Sequence, residues 1–144
     1  MHSSEITRLK AIEIRTALSR GKLTPRDIAE AYRLRIQHRE GQIGAFAHLD
    51  WNTVDKQIKA LRNQPTDHGP LWGVPVALKD IFDTADMPTS YGSDIYAAYR
   101  PPWDAAAVAR LRAAGAVILG KTVTTEFAWR RAARTRNPHD PRYT

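Results

Sequence analysis

The chain has 144 residues, 42% of them hydrophobic and 26% charged, a composition that fits one ordinary globular domain, leaves little room for two within these residues and argues against disorder. With no cysteine, it excludes thiolate catalysis, disulfide frameworks and cysteine-held metals, and it needs no oxidising compartment. Lysine and arginine number 22 against 15 acidic residues, and the resulting net charge of +7 brings polyanionic partners into consideration without identifying one.

The first forty residues read as two helices joined at Gly21. Ile6, Leu9, Ala11, Ile14 and Leu18 recur at steps of mostly three and four residues and give the first helix an apolar stripe. The second helix has a clear start, with Thr24 as N-cap, Pro25 at the first helical position and Asp27 in the first turn, and Ile28, Tyr32 and Ile36 fall on one face. Gly41 and Gly44 bracket a break, and Ala45 to Leu49 is short and apolar enough for a strand. Val54, Ile58 and Leu61 predict a third helix over 52–63, ended by Pro65 and a polar turn.

The run Gly69 to Asp80 holds a continuous apolar stretch bounded by glycine and proline. It predicts a strand buried on both faces, as in a parallel sheet, with Pro75 near its beginning. Residues 83–103, with Pro88, Gly92, Pro101, Pro102 and four tyrosine or tryptophan side chains, predict a long irregular excursion of the kind that often serves function. Asp104 is the expected N-cap of a helix carrying Val108 and Leu111, Gly115 its stop, and Ala116 to Leu119 a second buried strand. This succession argues for an α/β architecture. The remainder, to Thr144, is rich in arginine, with turns at Asn137-Pro138 and Asp140-Pro141.

Membrane insertion is not expected. The longest apolar or glycine run, Ala113 to Gly120, falls far short of the about 20 residues that span a bilayer. The polar start Met1 to Arg8 has no apolar signal core, so a cytoplasmic location is expected.

Two motifs compete for the chemistry. Gly115 to Thr122 satisfies the spacing of a phosphate-binding P-loop, G-x-x-x-x-G-K-[ST]. Its four intervening residues are Ala, Val, Ile and Leu, which read as a strand and not as a phosphate-cradling loop, so the expectation is a strand ending in an exposed Lys121. The second candidate is Lys79, at the end of the run Val74 to Leu78 and next to Asp80. Burial disfavours an ammonium and turns a lysine into a usable base. The alternative is a strand-end lysine reaching solvent beside an aspartate that caps the next turn. His2, His38, His48, His68 and His139 are scattered without metal-ligand spacing, so no metal site is expected. Arg130, Arg131, Arg134, Arg136 and Arg142 form a basic tail with little aromatic interleaving and no nucleic-acid motif, which makes nucleic acid an improbable partner.

The segment Gly69-Pro70-Leu71-Trp72-Gly73-Val74-Pro75-Val76-Ala77-Leu78-Lys79-Asp80 resembles the early motif of the amidase signature family, G-P-L-x-G-[VI]-P-[VI]-x-[VI]-K-D, departing only at Leu78. Asp104 to Thr122 and Thr125-Glu126-Phe127-Ala128 are similar to the family's next helix, strand and turn. Thr135 to Thr144 is similar to the lead into its Gly/Ser-rich signature. The resemblance implies an α/β, partial amidase-signature fold, a mixed sheet flanked by helices with two N-terminal helices. It implies a single, incomplete N-terminal part of an amidase domain over 1–144, helical over 1–40 and α/β over 41–144.

It further implies hydrolysis of non-peptide carbon-nitrogen bonds by a Ser, cis-Ser, Lys mechanism without a cofactor, on a small-molecule amide, with Lys79 as the base. Neither serine of that mechanism has a counterpart here. Ser3, Ser4, Ser19, Ser90 and Ser93 sit in no such motif, and the chain by itself is expected to be inactive. Strands built for burial but lacking neighbours favour self-association or a complementing chain. The alternatives are a non-catalytic basic binding module or one half of a split amidase.

Overall fold

The computed structural model describes residues 1–62, 69–129 and 132–144, without the Arg62 side chain. The predicted turn at Pro65, together with His68, Arg130 and Arg131, lies outside the described residues.

The first helix divides in two, α1 (Ser3–Ile6) and α2 (Ala11–Ser19), correcting the expectation of one continuous helix before Gly21 and giving three N-terminal helices instead of two. Each piece starts with a backbone N–H taken by a glutamate three residues on. His2 donates to Glu5 at 2.8 Å and Lys10 to Glu13 at 2.6 Å, so two capped starts replace a single helix. The apolar stripe survives the break, since Ile6, Ile14 and Leu18 are buried in one cluster with Leu9 against it, whereas Ala11 faces solvent.

Helix α3 (Pro25–Ile43) begins as expected. The Asp27 N–H donates to Thr24 Oγ1 at 3.2 Å, and the Asp27 carboxylate accepts from the Thr24 N–H at 2.8 Å. The Thr24 hydroxyl, which donates to the Asp27 carboxylate at 2.7 Å, and then the Thr24 N–H hold the Asp27 carboxyl below its ordinary range. Gly41 does not break the helix. It costs about 1 kcal/mol relative to alanine, and the last turn is secured by Gly44, which adopts a left-handed conformation (φ 61°), and by Glu40, whose carboxylate accepts from the Phe46 N–H at 2.7 Å. The helical region therefore reaches Ile43, three residues past the expected boundary.

Strand β1 (Phe46–Leu49) and helix α4 (Trp51–Arg62) follow the sequence pattern, and Val54, Ile58 and Leu61 are buried on one face of α4. Strands β2 (Pro75–Lys79) and β3 (Val117–Thr122) complete a three-stranded mixed sheet in the order β1-β3-β2, with β3 parallel to β2 and antiparallel to β1. Two layers cover it. Val117 and Leu119 pack with α4 and Ala29 of α3, while Ile118 packs with Leu78, Met87 and Val108 of helix α5 (Ala106–Ala113).

The central strand is buried as expected. β2 is not buried on both faces, because it is a sheet edge in this chain and its odd face is uncovered, leaving Ala77 and Lys79 exposed. Asp104 does not cap α5, which starts after Ala105. Its carboxylate instead accepts from the Ala85 N–H at 2.9 Å and pairs with Arg112 at 2.9 Å, a charge-assisted partner stronger than a cap. The excursion over 83–103 is irregular apart from one short 3-10 turn (Asp94–Tyr96).

Candidate active site

Both candidate lysines lie at the carboxyl ends of adjacent parallel strands, Lys79 opposite Thr122 and Lys121 opposite Leu78. Their surroundings differ completely. Lys79 is exposed, and among the described residues its ammonium has no hydrogen-bond or ion-pair partner. Lys121, expected at the surface, has no exposed area. Its Nζ pairs with Asp80 Oδ1 at 3.0 Å and donates to Thr89 Oγ1 at 2.7 Å, the Pro88 carbonyl at 3.2 Å and Thr84 Oγ1 at 3.5 Å. Burial lowers the Lys121 pKa from that of a free lysine, and Asp80 opposes that shift.

The correction at Lys121 has a geometric cause. Val76 pairs with Ile118 but Ala77 pairs with Gly120, so β3 carries one extra residue between them. Paired residues of parallel strands share a face. The bulge therefore reverses the alternation and puts Lys121 on the side of Leu78 and Ile118, not that of Val117 and Leu119. Gly120 is required there, since a Cβ at this position would collide with the His48 carbonyl oxygen. The P-loop reading fails for the reason expected: the residues between its glycines form β3, and Lys121 is enclosed by protein oxygens.

Asp80, only 2% exposed, joins the strand ends to the excursion. Its N–H donates to the Thr122 carbonyl at 2.8 Å, and its Oδ2 accepts from both the N–H and the hydroxyl of Ser90. Beside it opens a cleft of about 490 Å³ lined by Asp80, Ser90, Ser93, Thr124 and Arg134; Lys79 is not among its lining residues.

Behind Ser93, which lines the cleft, two loops are stitched together, a feature the sequence did not reveal. Phe127 donates its N–H to the Tyr91 carbonyl at 2.7 Å, and Ser93 Oγ donates to Glu126 at 2.7 Å. Tyr91, Phe127 and Ala128 all have positive φ, at 53°, 47° and 57°. Non-glycine residues in this region cost about 1–3 kcal/mol each and cluster at functional sites. The only advance signal was the turn-rich composition of 83–103. Tyr91 also donates its hydroxyl to Asp83, and burial with that carboxylate raises its phenol pKa.

The described tail arginines are engaged within the chain. Arg134 donates to the Phe46 carbonyl at 3.1 Å, Arg136 to the Pro141 carbonyl at 3.0 Å, and Arg142 pairs with Asp140 at 2.7 Å. Among the described residues no helix is long and apolar enough to cross a membrane.

Comparison with known proteins gives a consistent result. The family model described as Amidase matches residues 27–144. A glutamyl-tRNA(Gln) amidotransferase subunit from Streptomyces coelicolor is 43% identical over 128 residues, 87% of this chain and 26% of that protein. Among solved structures, the native peptide amidase of Stenotrophomonas maltophilia superposes with a TM-score of 0.76 at 32% identity, over 83% of this chain and 26% of its own. A chain of a vestigial protein complex, studied for the evolutionary origins of an s-triazine catabolic enzyme, superposes with a TM-score of 0.85 at 33% identity, over 92% of this chain and 31% of its own. The chain thus spans between a quarter and a third of the length of these relatives.

Proposed function

The chain belongs to the amidase family, and on that premise we propose that it contributes the lysine base of an amide hydrolase that uses two serines supplied by polypeptide outside residues 1–144. The observation that carries this reading is the contrast between the two lysines. Lys79, at the position matching the family motif, stands at a strand end with its amine exposed and unpaired among the described residues, while Lys121 is fully enclosed.

In the proposed reaction Lys79, in its neutral form, accepts a proton through the bridging serine from the nucleophilic serine, whose oxygen attacks the amide carbonyl. The carbon-nitrogen bond breaks as the nitrogen takes a proton, releasing ammonia or an amine and leaving an acyl-serine ester. Water cleaves the ester to a carboxylic acid and restores the serine. No metal or redox cofactor enters these steps. The substrate is a small-molecule amide, and the compartment proposed is the cytoplasm.

Residues 1–144 alone carry a base and none of the serines of this mechanism, so we expect them to hydrolyse no amide unless a complementing chain is joined or added. The β2 edge and its exposed face are where such a chain is accommodated. The test is a chimera in which residues 1–144 replace the matching segment of the Streptomyces coelicolor relative, assayed by ammonia release from amides. Activity lost by about 10³-fold or more in Lys79→Ala supports the proposal, by comparison with the cost of removing a member of an acyl-transfer triad. Full activity in that variant refutes it.

A basic binding module is disfavoured by the bonding of Arg134, Arg136 and Arg142 to the chain itself.

A further inference from the structure

A lysine base has a particular enemy in a neighbouring carboxylate, which stabilises the ammonium and removes the lone pair the chemistry needs. Lys79 is followed directly by one. Yet Asp80 is almost fully buried, and both of its oxygens face interior groups: Oδ1 lies 3.0 Å from the Lys121 ammonium, ion-paired with it but accepting no hydrogen bond among the described residues, and Oδ2 accepts from the N–H and hydroxyl of Ser90. Lys121 is in turn held by three further oxygens, from Thr84, Pro88 and Thr89.

Burying such a pair is expensive, and a pair of apolar side chains often stabilises a core as well or better. A contribution to stability therefore does not explain why two charges are enclosed beside the strand end. We propose that Lys121, by its charge, and Ser90, by its hydrogen bonds, are positioning residues that hold the Asp80 carboxylate inward, leaving Lys79 without an acidic partner among the described residues. The inference rests on the reading of Lys79 as the base, and it supplies the condition that reading requires.

The network draws on every element that meets at this corner. β3 contributes Lys121, and the excursion contributes Ser90 together with Asp83 and Asp86, whose charges also act on Lys121. β1 contributes His48, which stands opposite Lys121 in the antiparallel pairing. The bulge in β3 is the backbone device that makes it possible, since an unbulged strand would turn Lys121 away from Asp80. The ion pair also closes the ends of β2 and β3 over the Asp80 N–H to Thr122 bond, which fixes the direction in which Lys79 leaves the strand.

The test uses the 144-residue chain and needs no serines. Only a neutral amine is acylated, so the rate at which a succinimidyl ester labels Lys79 near neutral pH, read by peptide mass spectrometry against exposed Lys10, Lys22 and Lys56, reports its availability. Lys121 should remain unlabelled in the parent, Ser90→Ala and Asp80→Asn chains, which verifies that their fold is intact.

Freeing Asp80 by Lys121→Met should slow Lys79 labelling about 10-fold or more, the size expected for a new carboxylate neighbour. Adding Asp80→Asn to Lys121→Met should restore it, because the double variant holds no unpaired charge. Ser90→Ala disturbs no buried charge and keeps the test available if Lys121→Met fails to fold. It should slow labelling by about 2-fold, as one of the carboxylate's hydrogen-bond donors is lost. Asp80→Asn alone should leave the rate unchanged.

Unchanged labelling in both Lys121→Met and Ser90→Ala, or acceleration in Asp80→Asn alone, overturns the proposal. Because labelling is independent of turnover, a failure here is distinct from a failure of Lys79 to matter in the chimera.

Discussion

The carboxyl ends of β2 and β3 lie side by side and each presents a lysine, yet one is a surface amine and the other an interior cation. Solvent at the uncovered part of the edge strand surrounds Lys79, whereas Lys121 exchanges solvent for Asp80, Thr84, Pro88 and Thr89. The difference arises from a single residue of β3, the bulge that turns Lys121 toward the face of Leu78. Neighbouring positions of identical chemistry thus acquire opposite environments: Lys79 is exposed to solvent and Lys121 is enclosed beside Asp80.

The sharpest way to break that comparison is to remove each amine in turn and measure stability of the 144-residue chain by denaturant unfolding. Lys121→Ala leaves Asp80 as an uncompensated buried charge and should cost about 3–5 kcal/mol. Lys79→Ala removes an exposed side chain that is unpaired among the described residues and should change stability by less than about 0.5 kcal/mol. Equal effects would show that the two strand ends are not distinct environments.

The bulge itself is tested by Gly120→Ala. Its Cβ would meet the His48 carbonyl oxygen and the Leu49 side chain, so β1 must shift away from β3. A loss of about 1–3 kcal/mol is expected, with faster hydrogen exchange at the paired amides of β1. A smaller effect, remote from the sheet, is Thr24→Ala. It removes the hydroxyl that accepts from the Asp27 N–H at the start of α3 and should cost about 1 kcal/mol without altering Lys79 labelling.

What the sequence disclosed and what it concealed follow the same division. Most local signals held, although the start signals His2-Glu5 and Lys10-Glu13 that divide the first helix were missed. Thr24-Pro25 starts α3, Val54, Ile58 and Leu61 share one buried face of α4, and glycine with proline punctuates the strands. The other errors came where a group outside the expected pattern competes for a residue. Asp104 is drawn from its cap to Arg112 and Ala85, and Gly41 is carried through by the bonds of Glu40.

Lys121 is misplaced by the sequence pattern because period-two alternation assumes an unbroken register, and nothing in Val117 to Thr122 announces a bulge except Gly120. Of the candidate site, the position of Lys79 at a strand end was legible from Pro75 to Asp80. The stitching of Ser93 to Glu126 and of Phe127 to Tyr91 was not, for it joins residues more than thirty positions apart.

The most delicate probe of the corner is His48, which faces Lys121 across the sheet. Burial lowers its pKa from the ordinary value of 6.5, with Asp50 opposing and Arg100 and Lys121 reinforcing the shift. The unfolded chain therefore binds a proton at this histidine before the folded chain does. Its contribution to stability is present above pH 6.5 and is lost as pH falls below that value toward the folded pKa. His48→Gln should flatten this part of the pH–stability profile while leaving the alkaline side unchanged, a smaller effect than any of the preceding substitutions. In a Lys121→Met background the cationic contribution disappears and the His48 pKa should rise, so the slope that His48→Gln removes should shrink. A slope unaffected by Lys121→Met would mean that His48 senses burial alone and not the charge enclosed behind it.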